Sequence, residues 1–258
     1  PVRWLNKQGI KGGLESVHID AKKNYWVKTY DDGFYYYNPT SKNLKRFHFG
    51  YGPTEFTKDF AIRAITETKQ GMVLVSNTGE LICLDGEQGK VLWKEDYVKR
   101  KVDQMGDYWV TADKSGNIWV ITHTVVTYIY DRQHNRWFNS FKEYMEAQGF
   151  QGLPDDLLVW DMCYDAKGYM WVATDHQGVL VFDFKNREWR QFITQKGDDS
   201  SLPDITVKHL YLDQLGRMWV ATYKNGACMC SDALSNFASL AVGDINGVCE
   251  DKEGYYWL

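Results

Sequence analysis

Short runs of β-branched and aromatic residues alternate with polar turns along nearly the whole chain. Such runs are typical of β-strands, and polar stretches between them, such as Lys185-Asn186-Arg187, are typical of hairpins. Between residues 158 and 192 the pattern predicts four strands, at 158–164, 170–174, 178–183 and 188–192. The two inner strands are apolar on both faces, so each face of the sheet needs a cover.

This unit recurs along the chain. The phrase Asp-x-x-Gly-x-x-Trp occurs four times, and the weaker copies Asp20-Lys23-Trp26 and Thr68-Gly71-Leu74 complete a set of six. The residues at the tryptophan position recur every 38 to 52 residues: Trp26, Leu74, Trp119, Trp171, Trp219 and Trp257. A period of this size indicates an array of one supersecondary unit.

A second half follows in most copies. Trp-Val-x-Thr occurs four times, and in three of these a glycine stands at the same offset, as Gly33, Gly178 and Gly226. The third unit has Val126 instead.

We therefore predict an all-β fold, a β-propeller of four-stranded antiparallel blades, because a single sheet cannot bury both faces without neighbours. Residues 1–258 form one propeller segment, with blades at 17–49, 62–95, 107–140, 158–193 and 206–240 and part of a sixth at 245–258. We expect a fragment of a longer propeller, since residues 1–7 supply at most one outer strand. The alternative is a six-bladed ring closed by its termini.

One place is predicted to be helical, at 141–148. Ser140 and Glu143 have the spacing of a capping box, and Gly149 can end the turn.

The repeated residues are expected to be structural. Asp165 and Asp213 should accept backbone hydrogen bonds within a tight hairpin, and Gly168 and Gly216 should supply its left-handed conformation. Trp171 and Trp219 should fill the wedge between blades. Further members of the same structural repeat are Trp26, Trp119, Trp257 and Asp113.

Composition excludes several classes. The chain has 44% hydrophobic and 16% aromatic residues, too many for a disordered protein. A net charge of −4 without a Lys/Arg stripe argues against nucleic acid as a partner. No stretch approaches 18 consecutive apolar residues, so no membrane span is expected within this segment.

The five cysteines, an odd number, give no metal spacing such as C-x-x-C, and neither a metal nor a cofactor is predicted. Cys228 and Cys230 lie too far apart along one strand for an unstrained disulfide. Cys163 and Cys249 are expected to be buried thiols on first strands of their blades.

The unit resembles the two-component regulator propeller repeat. The resemblance spans nearly the whole chain and is most specific in units four and five, through LPDITVKHLYLDQLGRMWVAT; unit two, GELICLDGEQGKVLWKE, is closer to the repeat of quinoprotein enzymes. It implies the periplasmic sensor region of a hybrid histidine kinase of a gut bacterium, without chemistry of its own and responsive to glycan-derived oligosaccharides. The implied partners are a second propeller and a β-domain of the same longer chain, and a homodimer is compatible with it.

If the first strand of each blade is innermost, the loops after the second strands open on one face. The expected ligand contacts there are Tyr30, Asp31, His123, Asp175, His176, Tyr223, Lys224 and Asn225. Aromatic rings beside charged and amide groups suit a sugar, although propeller loops are polar in any case because they are wet.

A propeller enzyme is the alternative. A streptogramin-lyase-like enzyme would use His123 or His176 as a base, and a quinoprotein-like enzyme is favoured by one unit of six. No catalytic residue is assigned.

Overall fold

The structure is a computed structural model of the chain, and it describes residues 7–10, 13–30, 33–49, 61–230, 237–240, 243 and 248–257. Residues 1–6, most of the segment 1–7 from which at most one outer strand was expected, lie outside this part, as does Asp31. The chain forms two compact units. The first contains residues 1–124 and 128–137, and the second contains residues 125–127 and 138–258.

Five four-stranded antiparallel sheets follow one another, and in each the spatial order of the strands is their order along the chain. Blade one contains β1 to β4, at Leu14–Ile19, Tyr25–Thr29, Phe34–Asn38 and Asn43–Arg46. Blade two contains β5 to β8, at Ile62–Thr68, Gly71–Ser76, Leu81–Asp85 and Lys90–Glu95. Blade three contains β9 to β12, at Tyr108–Ala112, Ile118–Thr122, Thr127–Asp131 and Arg136–Phe138.

The remaining sheets belong to the second unit. Blade four contains β13 to β16, at Val159–Tyr164, Met170–Thr174, Val179–Asp183 and Glu188–Phe192. Blade five contains β17 to β20, at Val207–Leu212, Met218–Thr222, Ala227–Cys230 and Phe237–Leu240. A two-stranded sheet follows, with β21 at Cys249–Glu250 and β22 at Tyr256–Trp257. The predicted all-β class with four-stranded blades is confirmed.

The second strands β6 and β18 each contribute side chains to two hydrophobic cores, which explains why they are apolar on both faces. In β6, Met72 and Leu74 pack with blade one, whereas Val73 and Val75 pack with blade three. In β18, Val220 packs with blade four, and Trp219 and Ala221 pack with Val248 and Tyr256. Alternate side chains along one strand therefore join successive blades.

Tryptophans of the repeat lie in these interfaces. Trp26 packs among residues of blades one and two, and Trp171 among residues of blades four and five. Both are almost fully buried. Trp257 differs, because 64% of its surface is exposed.

Glutamates link neighbouring hairpins. Ala21 N donates a hydrogen bond to Glu67 Oε2 across blades one and two, at 2.9 Å. Gln214 N donates to Glu250 Oε2 at 3.1 Å in the second unit. Both glutamates stand seven residues before the tryptophan position of their repeat. The two junctions are therefore held by the same kind of hydrogen bond, from a hairpin N–H to a glutamate carboxylate.

Within the described ranges, two helices connect blades. The predicted one is α2, Phe141–Ala147, where Ser140 Oγ accepts from Glu143 N at 3.1 Å. The Glu143 carboxylate accepts from Asn139 N at 2.7 Å, one residue before the cap. The other, α1 at Tyr97–Val102, shows that the expectation of a single helix was wrong. Asp96 stands at its N-cap position but makes no side-chain capping bond, and the helix spans only six residues, too few for a helical pattern to be recognised in the sequence.

First strands of adjacent blades lie side by side, β5 next to β9 and β13 next to β17. Four first strands also contain one extra residue near their start, a β-bulge, where the pairing with the second strand shifts. The extra residues are Glu15, Arg63, Trp160 and Lys208. A bulge changes the direction of the side chain that it carries.

Candidate functional site

The hairpin between the first and second strands explains the spacing of the repeat. In blade four, Asp165 Oδ1 accepts hydrogen bonds from Lys167 N and Tyr169 N, both at 2.9 Å. Asp165 Oδ2 accepts from the Trp171 indole N–H at 3.1 Å. The same carboxylate–indole bond, at 2.9 to 3.0 Å, joins Asp20 to Trp26, Asp113 to Trp119, Asp213 to Trp219 and Asp251 to Trp257.

The aspartate thus has a role that the sequence reasoning missed, since it also fixes the tryptophan of its own blade. The constant spacing of six residues between the two was the available signal. The residue three places after the aspartate has a positive φ in every such hairpin, and it is a glycine in all but blade one, where Lys23 takes φ 66°. Glycine adopts this conformation without the steric cost that a Cβ adds.

Asp213 has the fullest set of partners. Besides the two backbone groups Leu215 N and Arg217 N, its carboxylate accepts from the Arg217 guanidinium at 2.6 Å and the Tyr256 hydroxyl at 3.0 Å. Burial alone would raise the pKa of Asp213, but these hydrogen bonds outweigh it and lower the pKa to about 2. The hairpin carboxylate is therefore charged and saturated, which is a structural arrangement.

The loop after the second strand is closed by the threonine and glycine of the repeat. Thr174 Oγ1 donates to Gly178 O at 2.7 Å, and Thr222 Oγ1 donates to Gly226 O at 2.6 Å. Gly178 has φ 70°, and a Cβ there would lie 2.0 Å from Phe192 O. The ends of each loop are thus fixed, and the three residues between them are presented to their surroundings.

In the second unit, all five predicted contacts lie in these loops and make polar contacts. His176 Nδ1 lies 3.0 Å from Asp175 Oδ1, with His176 at φ 67°. Lys224 N donates to Asp204 Oδ2, and Asn225 Nδ2 donates to Pro203 O at 2.9 Å. Tyr223 N donates to Thr206 O at 2.9 Å, and the Tyr223 side chain is half exposed.

In the first unit the predicted contacts are dispersed. Tyr30 is 69% exposed, and its backbone N–H donates to Gly13 O. The His123 ring packs edge-on to the Tyr108 ring. It also lies against Gly106, where an added Cβ would be only 2.5 Å from His123 Nδ1. His123 Nδ1 is buried and has no hydrogen-bond partner within the described part of the chain. Asp31 lies outside the described residues.

Two residues that sequence reasoning missed join the loops of the second unit. Lys208 Nζ lies 3.3 Å from the centroid of the Trp160 ring and 5.1 Å from that of Tyr223, while Lys224 Nζ lies 5.2 Å from the same Tyr223 ring. Trp160 and Lys208 are the bulge residues of β13 and β17, so the one-residue shift brings them together. We call Trp160, Asp175, Lys208, Tyr223 and Lys224 the loop-end site.

The electrostatics of this site centre on Lys208. Burial lowers the pKa of its ammonium, and the negative charge of Asp175 partly offsets that effect. Beside it, His209 Nδ1 lies 2.6 Å from Asp161 Oδ2, which also accepts from Leu210 N at 2.9 Å. The hydrogen bond that the His209 imidazole donates to the Asp161 carboxylate raises the pKa of His209.

A separate cleft of about 330 Å³ lies in the first unit on the hairpin side, lined by residues that include Asp20, Glu67, Asp85 and Glu87.

Across the described ranges, no three His, Cys, Asp or Glu side chains are grouped so that they could hold a metal ion. No described helix is both long enough and apolar enough to cross a membrane.

All five cysteines are free thiols. Cys83, Cys228 and Cys230 are buried, but Cys163 is only partly buried and Cys249 is exposed. The expectation of buried thiols was therefore wrong for Cys249 and too strong for Cys163. Among the described strands, β21 pairs only with β22, which does not enclose the Cys249 side chain.

Four-stranded blades, a carboxylate–indole hairpin and a variable closed loop together define a repeat protein of the β-propeller class. Residues 152–176 and 201–224 match the model of the two-component regulator propeller repeat. These two stretches lie in and next to blades four and five, so the resemblance is confirmed where its motif is strongest.

Several solved structures share the fold. A protein described as the extracellular domain of a hybrid two-component system from B. thetaiotaomicron has a TM-score of 0.64 and 20% identity, covering 95% of this chain and 32% of that one. PorZ, of the type-IX secretion system of Porphyromonas gingivalis, has a TM-score of 0.62 and 14% identity. The match covers 96% of this chain and 38% of PorZ. Virginiamycin B lyase from Staphylococcus aureus has a TM-score of 0.57 and 8% identity. That match covers 91% of this chain and 71% of the lyase.

At these identities the likeness is one of fold. The chain spans about a third of the length of the B. thetaiotaomicron protein. No curated protein matches the sequence.

Proposed function

We propose that the chain is the ligand-sensing propeller of a hybrid two-component regulator, lies in the periplasm and recognises oligosaccharides released from glycans. Binding is its whole role, and the signal passes to a histidine kinase in the same longer protein. One observation carries the proposal: the two stretches that match the regulator repeat contain all five residues of the loop-end site.

The chemistry of the site supports a sugar ligand. The half-exposed Tyr223 offers a ring on which the C–H face of a sugar can stack, and Trp160 adds a second ring next to it. Asp175, Lys208 and Lys224 supply charged groups for hydroxyl recognition. The lyase-like alternative is supported at the level of fold alone, so we do not propose it.

Thermal unfolding of the intact protein with a panel of glycan oligosaccharides tests the proposal. A ligand at one hundred times its Kd stabilises a folded protein by about 2.7 kcal/mol. Tyr223→Ala should abolish the shift, whereas Tyr255→Ala, which removes an exposed tyrosine of the β21–β22 hairpin, should retain it. An unmoved melting temperature across a broad panel would rule out the sensing role.

A further inference from the structure

Lys208 differs from Lys28 and Lys142, which are also partly buried, in the partners of its ammonium group. Lys28 pairs with Glu15 at 2.5 Å and also donates to Ile62 O, and Lys142 pairs with Asp155. The Lys208 ammonium contacts the faces of Trp160 and Tyr223, and within the described ranges it makes no hydrogen bond or ion pair. Its three N–H donors therefore lack oxygen acceptors from the protein.

Carboxylates around the site are engaged elsewhere. Asp161 Oδ2 is held by His209 and Leu210 N. Asp204 accepts from Thr206 N through one oxygen and from Lys224 N through the other. Asp175, the acid whose charge acts on Lys208, has one oxygen against His176 and lies beyond ion-pair distance of the lysine.

Lys224 adds a second positive charge on the same side. Its ammonium lies over the Tyr223 ring and, like that of Lys208, has no carboxylate partner among the described residues. The Tyr223 ring thus has a lysine ammonium about 5 Å from its centroid in two directions.

We propose that the ligand of the loop-end site is an acidic saccharide, whose carboxylate or sulfate group is bound by Lys208 while its ring stacks on Tyr223. This inference rests on the proposed sensing function and narrows its ligand class. A lysine ammonium binds a carboxylate or a sulfate through charge-assisted hydrogen bonds. A neutral sugar would leave the ammonium charge uncompensated.

The test is titration calorimetry on the intact protein with four probes. Trigalacturonate supplies carboxylates, its methyl ester supplies the same sugars without charge, a sulfated galactobiose supplies a sulfate ester, and inorganic sulfate supplies charge without sugar. We expect trigalacturonate or sulfated galactobiose to bind at least ten times more tightly than the methyl ester, and the preference to weaken in high salt. Which of the two binds distinguishes a carboxylate from a sulfate.

Lys208→Met keeps the aliphatic stem and removes the charge, so it should weaken binding of the acidic probe about ten-fold, equivalent to about 1.4 kcal/mol. Lys252→Met, at the exposed β21–β22 hairpin, should bind like the parent protein. Equal binding by Lys208→Met, tighter binding of the methyl ester, or inorganic sulfate binding as tightly as the acidic saccharides would each overturn the acidic-ligand inference. Binding of the methyl ester alone would overturn it while leaving the sensing role intact, and binding of no saccharide would remove both.

Discussion

The two ends of blades four and five use polar groups in opposite ways. At the hairpin end, every oxygen of Asp165 and Asp213 accepts hydrogen bonds from within the same blade or its neighbour. At the loop end, the ammonium groups of Lys208 and Lys224 lie near aromatic rings and have no oxygen partner in the described chain. The hairpin end repeats from blade to blade, whereas the loop end changes.

This difference separates residues that hold the blade from residues that are available to a ligand. A saturated carboxylate stabilises the fold and has no capacity left for recognition. An ammonium without an acceptor contributes little to stability and retains its donors. Substitutions at the two ends should therefore affect different measurements.

Gly178→Ala should be the most damaging single change, because the loop closure leaves no room for a methyl group. The added Cβ would lie 2.0 Å from Phe192 O in a left-handed conformation. We expect the free energy of unfolding in urea to fall by about 4 kcal/mol. Gly168→Ala, at φ 90° with nothing within 4 Å, is the matched control and should cost about 1 kcal/mol. Equal losses would contradict the idea that the loop is sterically closed.

Asp213→Ala should cost about 3 kcal/mol in the same measurement, because it leaves the Trp219 indole and Arg217 N–H without their acceptor. Asp199→Ala, at an exposed turn, should remain within about 0.5 kcal/mol of the parent. A loss at Asp213 as small as that at Asp199 would show that the hairpin network does not stabilise the blade.

Acid should weaken the hairpin end through Asp213. Its folded pKa of about 2 lies below the unfolded value of 3.8, so its contribution is complete above pH 3.8 and is lost as the pH falls towards 2. The difference corresponds to about 2 kcal/mol. Between pH 5 and pH 2, the free energy of unfolding in urea should fall more steeply for the parent than for Asp213→Asn. Equal slopes for the two proteins would refute the role of Asp213 in the acid sensitivity.

Alkali should weaken the junction between blades four and five through His209. Its folded pKa is raised by Asp161, so the stabilisation is complete below the unfolded pKa of about 6.5 and is lost as the pH rises through the folded value. Because the imidazole is 38% exposed, we expect roughly 1 kcal/mol or less. In His209→Asn, the free energy of unfolding should no longer fall over this pH range. If it falls as in the parent protein, the His209–Asp161 pair is not the cause of the loss.

Lys208→Met should have the smallest effect on stability. Loss of the contact with Trp160 removes less than about 1 kcal/mol, and the variant no longer desolvates an ammonium. Urea unfolding should therefore match that of Lys252→Met. A loss as large as that of Asp213→Ala would place Lys208 among the structural residues and blur the contrast between the two ends.

The sequence predicted the blades well because their determinants are local and periodic. Strands that are apolar on both faces predict a sheet with neighbours on each side, and β6 and β18 show that arrangement. The spacing of Asp, Gly and Trp predicted the hairpin, although the bond between Asp165 and Trp171 was not anticipated.

Features that depend on neighbours across the fold were harder to predict. Trp160 and Lys208 stand 48 residues apart, and only a shift in strand pairing brings them into contact. The exposure of Cys249 depends on what lies against its strand, which its own segment does not encode. Helix α1 is too short and too poorly capped to leave a pattern.

The β-bulges of the first strands have an evolutionary consequence. A bulge residue has no Cα partner on the adjacent strand, so its identity is not tied to strand pairing, and here the position holds an acid, two different bases and an indole: Glu15, Arg63, Lys208 and Trp160. Gene duplication could thus have multiplied one blade while mutation diversified this position at little cost to folding. Exchange of single bulge residues between blades is then the shortest route by which a propeller of this kind would change the chemistry of its loop ends.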